Sequence, residues 1–415
     1  MSLDTAAATS TRSPVPTSAT SPVRPGSPEL RALLDRISVG ADLRDRDRVP
    51  PFEQIAWAKA AGLGRLRVPV AEGGAGATLR ELFATLVELA EADSNVAHIL
   101  RTHYWFVEQQ LVAVDPEARA RGIALVTADQ LVGNGFSEQS KHAVGLTFDT
   151  TITPDPAGGH RLNGEKFYST GTLYSDYTQI WAAVPDGTIA GAVIPISRDG
   201  VTVEDDWDGF GQRLTATGTT RLDDVHVTDE EFFDLGRPEE LDPGYNGAFL
   251  QLYLQAVTAG ILRSVRNDAV AWVQKRSRNF GHAGASTAAG DRQVLQVVGE
   301  ISADAFAAEA IVLAAADKLQ EAYESVVDGA PTPGAAHAAQ LAAAQAKVAV
   351  DRFSYATAAR LFDVGGASAT QKVHNLDRHW RNIRTASTHN PTFLKASAIG
   401  DHEVNGASFP TNAYF

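Results

Sequence analysis

Cysteine is absent from the 415 residues, which excludes disulfides, thiolate catalysis and Cys-ligated zinc or iron–sulfur centres and fits a reducing compartment. Positive charge is scarce: 36 Lys and Arg against 50 Asp and Glu give a formal net charge of -14. Such a surface repels nucleic-acid phosphates and anionic lipid, so neither is an expected partner. The amino terminus lacks the basic stretch and apolar run of a secretory signal, and no uninterrupted apolar segment is long enough for a bilayer span. A cytoplasmic location follows as the expectation. Also missing is a Gly-x-Gly-x-x-Gly fingerprint after a strand, which leaves no evident NADH site. What is present, 44% hydrophobic and 21% charged residues, is ordinary globular composition, long enough for two or three packed modules.

Residues 1–27 are rich in Ser, Thr, Pro and Ala with few large apolar side chains, so burial there cannot offset the entropy of ordering and a loose tail is expected. Helical periodicity begins at Pro28: Leu79, Leu82, Phe83, Leu86, Leu89 and Ala90 fall on one face, and Asp93-Ser94-Asn95 offers caps for a new helix. After Gln130 the pattern changes. Leu146, Phe148, Thr150 and Ile152 alternate, and Asn163-Gly164 and Asp186-Gly187 predict tight turns between strands. From Gly247 long Ala- and Leu-rich helical patterns return, with breaks near 279–290, 328–334 and 364–368 that predict about four helices. The expected architecture is α+β: a helical domain over 28–130, a central β domain over 131–240 and a C-terminal helical bundle over 241–415.

Five segments occur in order along this frame: VGNGFSEQS, LNGEKFYSTG, DDWDGFGQRLTATGTTRLDDVHV, GGASAT and LDRHWRNIRTASTHNP. Together with the module order they resemble the acyl-CoA dehydrogenase superfamily. Within it, the chain is most similar to the flavin-dependent monooxygenase branch that includes dibenzothiophene and sulfone-metabolism monooxygenases. A dehydrogenase of this fold needs a carboxylate to take the substrate α-proton, commonly a Glu beside Gly late in the bundle. The corresponding stretch here, Thr385 to Pro391, contains no acid but does contain His389.

The resemblance implies a homotetramer with a central β-barrel-like domain, a C-terminal four-helix bundle and a flavin between the two. It implies FMN delivered reduced by a separate NAD(P)H:flavin reductase, with O2 as co-substrate, and oxygenation of a small organosulfur or other heteroatom substrate through a flavin C4a-hydroperoxide. The rival expectations are an acyl-CoA dehydrogenase or oxidase with tightly bound FAD, and a catalytically silent scaffold of the same fold.

Asn134, Gly135, Phe136, Ser137, Glu138 and Gln139 match a segment that binds FMN in the related monooxygenases, although Asn-Gly-Phe-Ser alone also reads as a turn. Lys166, Phe167, Tyr168, Ser169, Thr170 and Gly171 are expected on a strand after the Asn163-Gly164 turn. Alternation there sends only one of Ser169 and Thr170 toward flavin N5, and the family position favours Thr170. Trp207 resembles a tryptophan bordering flavin and substrate; composition alone allows a core aromatic. Leu100, Tyr104, Val107 and Leu111 share a helical face, which is compatible with a core tyrosine. The family places a His and a Tyr from this helix in the substrate cavity, here Tyr104 with either His98 or His103.

Arg278 matches an arginine that reaches flavin from a neighbouring subunit, and Ala367-Ser368 a second flavin-contacting turn. At a helix end, Arg278 is also simply a favourable solvated cation. Ser277 stands where dehydrogenases carry an arginine three residues before Phe280, which fits FMN better than tightly held FAD. His389 is the expected proton donor or acceptor of the reaction, its reference titration range lying near neutral pH. His374, His379 and His402 read as structural: the first two lack i, i+4 spacing and no acid recurs with them, so no metal is expected.

Overall fold

The computed structural model describes residues 21–139, 146–237, 244–277, 279 and 281–410. Seven helices come first: α1 (Pro28–Ser38), α2 (Ala41–Asp47), α3 (Phe52–Ala60), α4 (Leu79–Ala92), α5 (Ser94–Ile99), α6 (Arg101–Leu111) and α7 (Pro116–Thr127). Helix α1 starts where Ser27 accepts from Leu30 N and Pro28 supplies a preset φ. A capping box of Thr78 and Glu81 opens α4, whose apolar face is buried. Asp93 then ends α4 in an extended conformation and accepts from Asn95 N and Val96 N to cap α5, so one carboxylate sets the angle between the two helices. Residues 21–27, assigned to the loose tail by composition, are placed against this layer: Val23 is buried and donates its N–H to Ala61 O.

The middle of the chain forms β1 (Val132–Gly135), β2 (Thr151–Pro154), β3 (His160–Lys166), β4 (Tyr177–Ala183), β5 (Ile189–Pro195), β6 (Val201–Val203), β7 (Thr220–Val227) and β8 (Phe232–Gly236). They make one eight-stranded mixed sheet in the order β6-β7-β3-β2-β4-β5-β8, with β1 parallel to β4. Asp186-Gly187 does turn β4 into β5, Gly187 N donating to Val184 O. Asn163-Gly164 does not turn the chain: the pair lies inside β3, where a register shift against β7 marks a bulge and Gly164 takes φ +145°. The strand expected through Gly171 stops at Lys166. Beyond it the backbone loops, with Tyr168 at φ +58° and Gly171 at φ +80°, so Ser169 and Thr170 are not placed by strand alternation.

The remaining helices are α8 (Gly244–Lys275), α9 (Arg292–Glu324), α10 (Pro333–Gly365), α11 (Arg378–Ser387) and α12 (Thr392–Asn405). Three long ones pack on one another and α4 packs on α8, while α11 and α12 return along the bundle. Helix α8 is long and apolar enough over Tyr245–Lys275 to cross a bilayer by length and mean composition, although Gln251, Gln255 and Arg263 interrupt its apolar run; 83% of its most apolar window is buried inside the fold. It is the central core helix.

Candidate active site

A cavity of about 490 Å³ opens between the sheet, the α5–α6 helices and the end of α11, a volume typical of small-ligand sites. His98 from α5 and Arg101, Thr102 and Trp105 from α6 form one wall. Opposite are Asn134, Phe136, Ser137 and Glu138, running out of β1, with Tyr168 and Thr170 from the loop after β3. Trp207, Phe210, Gln212 and Thr217 come from the long β6–β7 connection, Leu250 from α8, and Thr385, Ala386, Thr388 and His389 close the remaining side.

Hydrogen bonds fix how these groups present themselves. The loop after β3 is tied down by Phe167 N to Ser137 O, Ser169 N to Gly218 O and Gly171 N to Thr215 O, and Thr102 Oγ1 donates to Thr170 O at 3.3 Å. Thr215 Oγ1 donates to Gln212 O at 2.9 Å and lies 2.7 Å from Thr217 Oγ1, which lies 2.9 Å from Thr170 Oγ1. Each hydroxyl has one hydrogen. With that of Thr215 committed, Thr217 donates to Thr215 and Thr170 donates to Thr217, so Thr170 offers the cavity an acceptor. His98 Nδ1 lies 3.3 Å from Gln212 Oε1, an acceptor, and therefore carries the hydrogen. Arg101 Nη1 lies 3.4 Å from His389 Nε2; because arginine only donates, His389 accepts there and is protonated on Nδ1.

Burial sets the charges. It pushes His98 down to about 3 and His389 well below the ordinary histidine range, with the Arg101 cation adding to both. His389 is exposed by surface area, but that surface faces a cavity it lines and protein surrounds it, so desolvation governs its charge. Both imidazoles are neutral at physiological pH, and the expectation that His389 titrates near neutrality is corrected. Arg101 is lowered to about 10 by the same burial and stays a cation. Glu138 is the one carboxylate among the lining residues. It receives Lys166 Nζ at 2.5 Å, Asp149 N at 2.6 Å and Thr150 N at 3.1 Å. Burial opposes its ionisation, yet Lys166 and these donors hold its carboxyl below the usual range. Lys166 falls to about 8 through burial, partly offset by Glu138.

Several expected site residues are brought together here: Asn134, Phe136, Ser137, Glu138, Tyr168, Thr170, Trp207 and His389. Others are not. His103 and Tyr104 face the core: His103 Nε2 contacts Gly64 O at 2.8 Å and Nδ1 accepts from Val132 N at 3.2 Å, while Tyr104 donates to Leu63 O at 2.5 Å and is fully buried. His98 is the histidine of this helical pair that lines the cavity. Ser169 is buried away from it, and its Oγ has no hydrogen-bond partner among the described residues. Gly135, Lys166 and Phe167 support the walls without lining them, and neither Gln139 nor the exposed Ala367 and Ser368 does so. Arg278 lies outside the described residues.

Arg101, Thr102, Trp105, Gln212 and Leu250 were not anticipated. A signal for the first three exists, since 98, 101, 102 and 105 follow i, i+3, i+4, i+7 and must share a face opposite the Tyr104 and Val107 face. His379 contacts Asp268 at 2.7 Å, His374 packs edge-on to Trp272, and His402 Nε2 meets His337 Nε2 at 3.2 Å. A second cavity of about 450 Å³ beside α2 and α8 is rich in Asp, but Asp45, Asp93 and Asp268 are paired with Arg381, Arg44 and Arg378.

The first cavity fits a flavin ring. Its aromatic walls suit a flat apolar surface, Asn134 Oδ1 has no partner within the described residues, and Thr170 presents an acceptor.

Residues 252–392 match the family model described as acyl-CoA dehydrogenase, C-terminal domain. Over most of its length the chain is similar to monooxygenases. The chain is 29% identical to dibenzothiophene monooxygenase of Mycolicibacterium goodii over 87% of its own length and 89% of the relative's. It is 28% identical to a probable FMNH2-dependent monooxygenase, SfnC, of Pseudomonas putida over 92% and 96%. Among solved structures, FMN-bound TdsC from Paenibacillus sp. A11-2 superposes with a TM-score of 0.84 at 27% identity, covering 93% of this chain and 99% of that one. Methanesulfinate monooxygenase MsuC from Pseudomonas fluorescens gives 0.83 at 26% identity, covering 94% and 100%.

Proposed function

We propose that this chain is the oxygenase of a two-component FMN-dependent monooxygenase acting on a small organosulfur or other heteroatom substrate in the cytoplasm, with FMNH2 delivered by a separate NAD(P)H:flavin reductase. The observation that carries the reading is the state of the cavity's acid–base groups: its carboxylate is held in an ion pair and its two imidazoles are neutral. No free carboxylate among the lining residues is available to remove a substrate α-proton, which speaks against a dehydrogenase. FMN, when bound and reduced, supplies the two electrons by which one oxygen atom of O2 passes to substrate and the other to water.

The protein's part is to hold and to exclude. Trp105, Phe136, Trp207 and Phe210 keep water from the reacting centre. Asn134 and the acceptor oxygen of Thr170 orient the ring edge, and the Nδ1–H of His389 holds a proton as a neutral donor. Assembly as a homotetramer, with Arg278 and the Ala367-Ser368 turn reaching a neighbour's flavin, is part of this proposal. Large apolar side chains exposed on the bundle support assembly: Phe306, Phe393, Leu394 and Val404.

The test is turnover of an aryl thioether and a sulfinate under 18O2 with FMN, NADH and purified flavin reductase. One labelled oxygen atom is expected in the product, only when reductase is present. Product formed from NADH by this protein alone, or α,β-desaturation of an acyl-CoA, would overturn the reading.

A further inference from the structure

Four arginines are buried among the described residues: Arg44, Arg65, Arg67 and Arg101. Three have a carboxylate. Arg44 meets Asp93 at 2.8 Å, Arg65 meets Asp129 at 3.1 Å and Arg67 meets Glu108 at 2.7 Å. Arg101 is 7% exposed, yet its guanidinium touches only neutral groups, Leu250 O at 3.2 Å and His389 Nε2 at 3.4 Å. No carboxylate of the described residues comes within salt-bridge distance of it, and its Nη2 makes no hydrogen bond with them.

A buried cation without a counter-ion costs several kcal/mol, and proteins tolerate one where a ligand brings the missing charge. Arg101 stands in the cavity wall, so that ligand is whatever fills the cavity. No described residue of the lining neutralises it. Glu138 is satisfied by Lys166, and His98 and His389 are neutral acceptors or donors held beside the guanidinium. Among the lining residues there is therefore one cation without a carboxylate, on a planar fork suited to an oxyanion.

We propose that Arg101 docks an organic oxyanion carried by the substrate, a sulfinate, sulfonate or carboxylate, and that this chain selects anionic over neutral substrates. The word substrate rests on the monooxygenase reading above; the anion site itself does not. Arg101 lines the same cavity as His98, His389, Trp105 and Phe136, so an oxyanion on its open Nη2 leaves the rest of a small molecule to the aromatic walls. It is a specificity residue that the sequence reading passed over.

The test uses isosteric pairs in which a methyl group replaces the charged oxygen: benzenesulfinate against methyl phenyl sulfoxide, and benzoate against acetophenone. Calorimetric titration of the protein loaded with oxidised FMN, where no turnover occurs, is expected to give at least about tenfold tighter binding of each anion, a difference of about 1.4 kcal/mol. Arg101→Met should abolish that preference and Arg101→Lys should keep part of it, while affinity for oxidised and reduced FMN changes less than about threefold. Equal binding of anion and neutral partner by the wild-type protein, or no binding of either anion at millimolar concentration, overturns the proposal without any variant. A loss of reduced-FMN affinity in Arg101→Met as large as the loss for benzenesulfinate also overturns it, because the cation would then serve the flavin. The same titrations run on flavin-free protein separate the two readings: anion selectivity without FMN binding refutes the flavin function and leaves the anion site standing.

Discussion

His389 acts, on this geometry, as a neutral imidazole whose Nε2 is occupied by Arg101 and whose Nδ1 carries the hydrogen. Burial and the neighbouring cation keep it from gaining a second proton, so as pH falls through 6.5 it stays neutral and keeps the Nδ1 hydrogen that the proposed donor role needs. His389→Ala is expected to keep the fold and most FMN affinity while losing product formation by about two to four orders of magnitude, the electrons appearing instead as hydrogen peroxide. Thr170→Val removes an acceptor of nearly equal volume and should lose about tenfold, the worth of one hydrogen bond. Product and hydrogen peroxide measured side by side check both. Wild-type coupling in His389→Ala would return His389 to a structural role.

At the scale of elements, the site depends on how the loop after β3 meets the α5–α6 helices. Gly171 lies at φ +80°, and a Cβ there would stand 2.3 Å from Ile99 O at the end of α5. Its N–H is bonded to Thr215 O, next to the hydroxyl chain that orients Thr170. Gly171→Ala faces both a left-handed backbone and a clash with main chain, neither of which a side-chain shift relieves. We expect a loss of at least about 2 kcal/mol, read as a lower urea midpoint, together with weaker FMN binding because Thr170 moves with the loop. An unchanged midpoint would mean that the α5–loop contact is looser than the geometry indicates.

For the whole molecule, buried histidines tie stability to pH. His103 uses Nε2 as donor to Gly64 O and Nδ1 as acceptor from Val132 N, a pattern only the neutral ring satisfies. Burial lowers it to about 4 and His98 to about 3. Both are bases with depressed folded-state values, so their contribution is complete above pH 6.5. It is lost as pH falls below that point, because the unfolded chain takes up protons that the folded chain refuses. Going from pH 7 to 5, these two alone should remove about 4 kcal/mol, and His389 and His379, lowered by burial as well, add to the loss in the same direction. Asp268, held far below its ordinary range despite burial by His379 and Arg378, is lost in the same direction at more acid pH. Urea midpoints at pH 7 and 5 check the sum, and His103→Ala should shrink the difference between them.

Local chemistry determined much of this protein before any contact between modules was known. The Asp93 cap, the Asp186-Gly187 turn and the helix breaks follow from rules that act within a few residues. The segments holding Asn134, Thr170, Trp207 and His389 were legible as motifs, although what brings them to one cavity is packing across hundreds of residues. Tertiary structure decided the rest. Asn163-Gly164 became a bulge because β7 pairs alongside β3. Of two neighbouring histidines, the one facing the cavity is His98, since the Tyr104 and Val107 face had to meet the core. The charge of His389 is a property of its burial beside Arg101. Neither desolvation nor the missing partner of Arg101 exists in an unfolded chain, because both arise only when distant segments close around the same space.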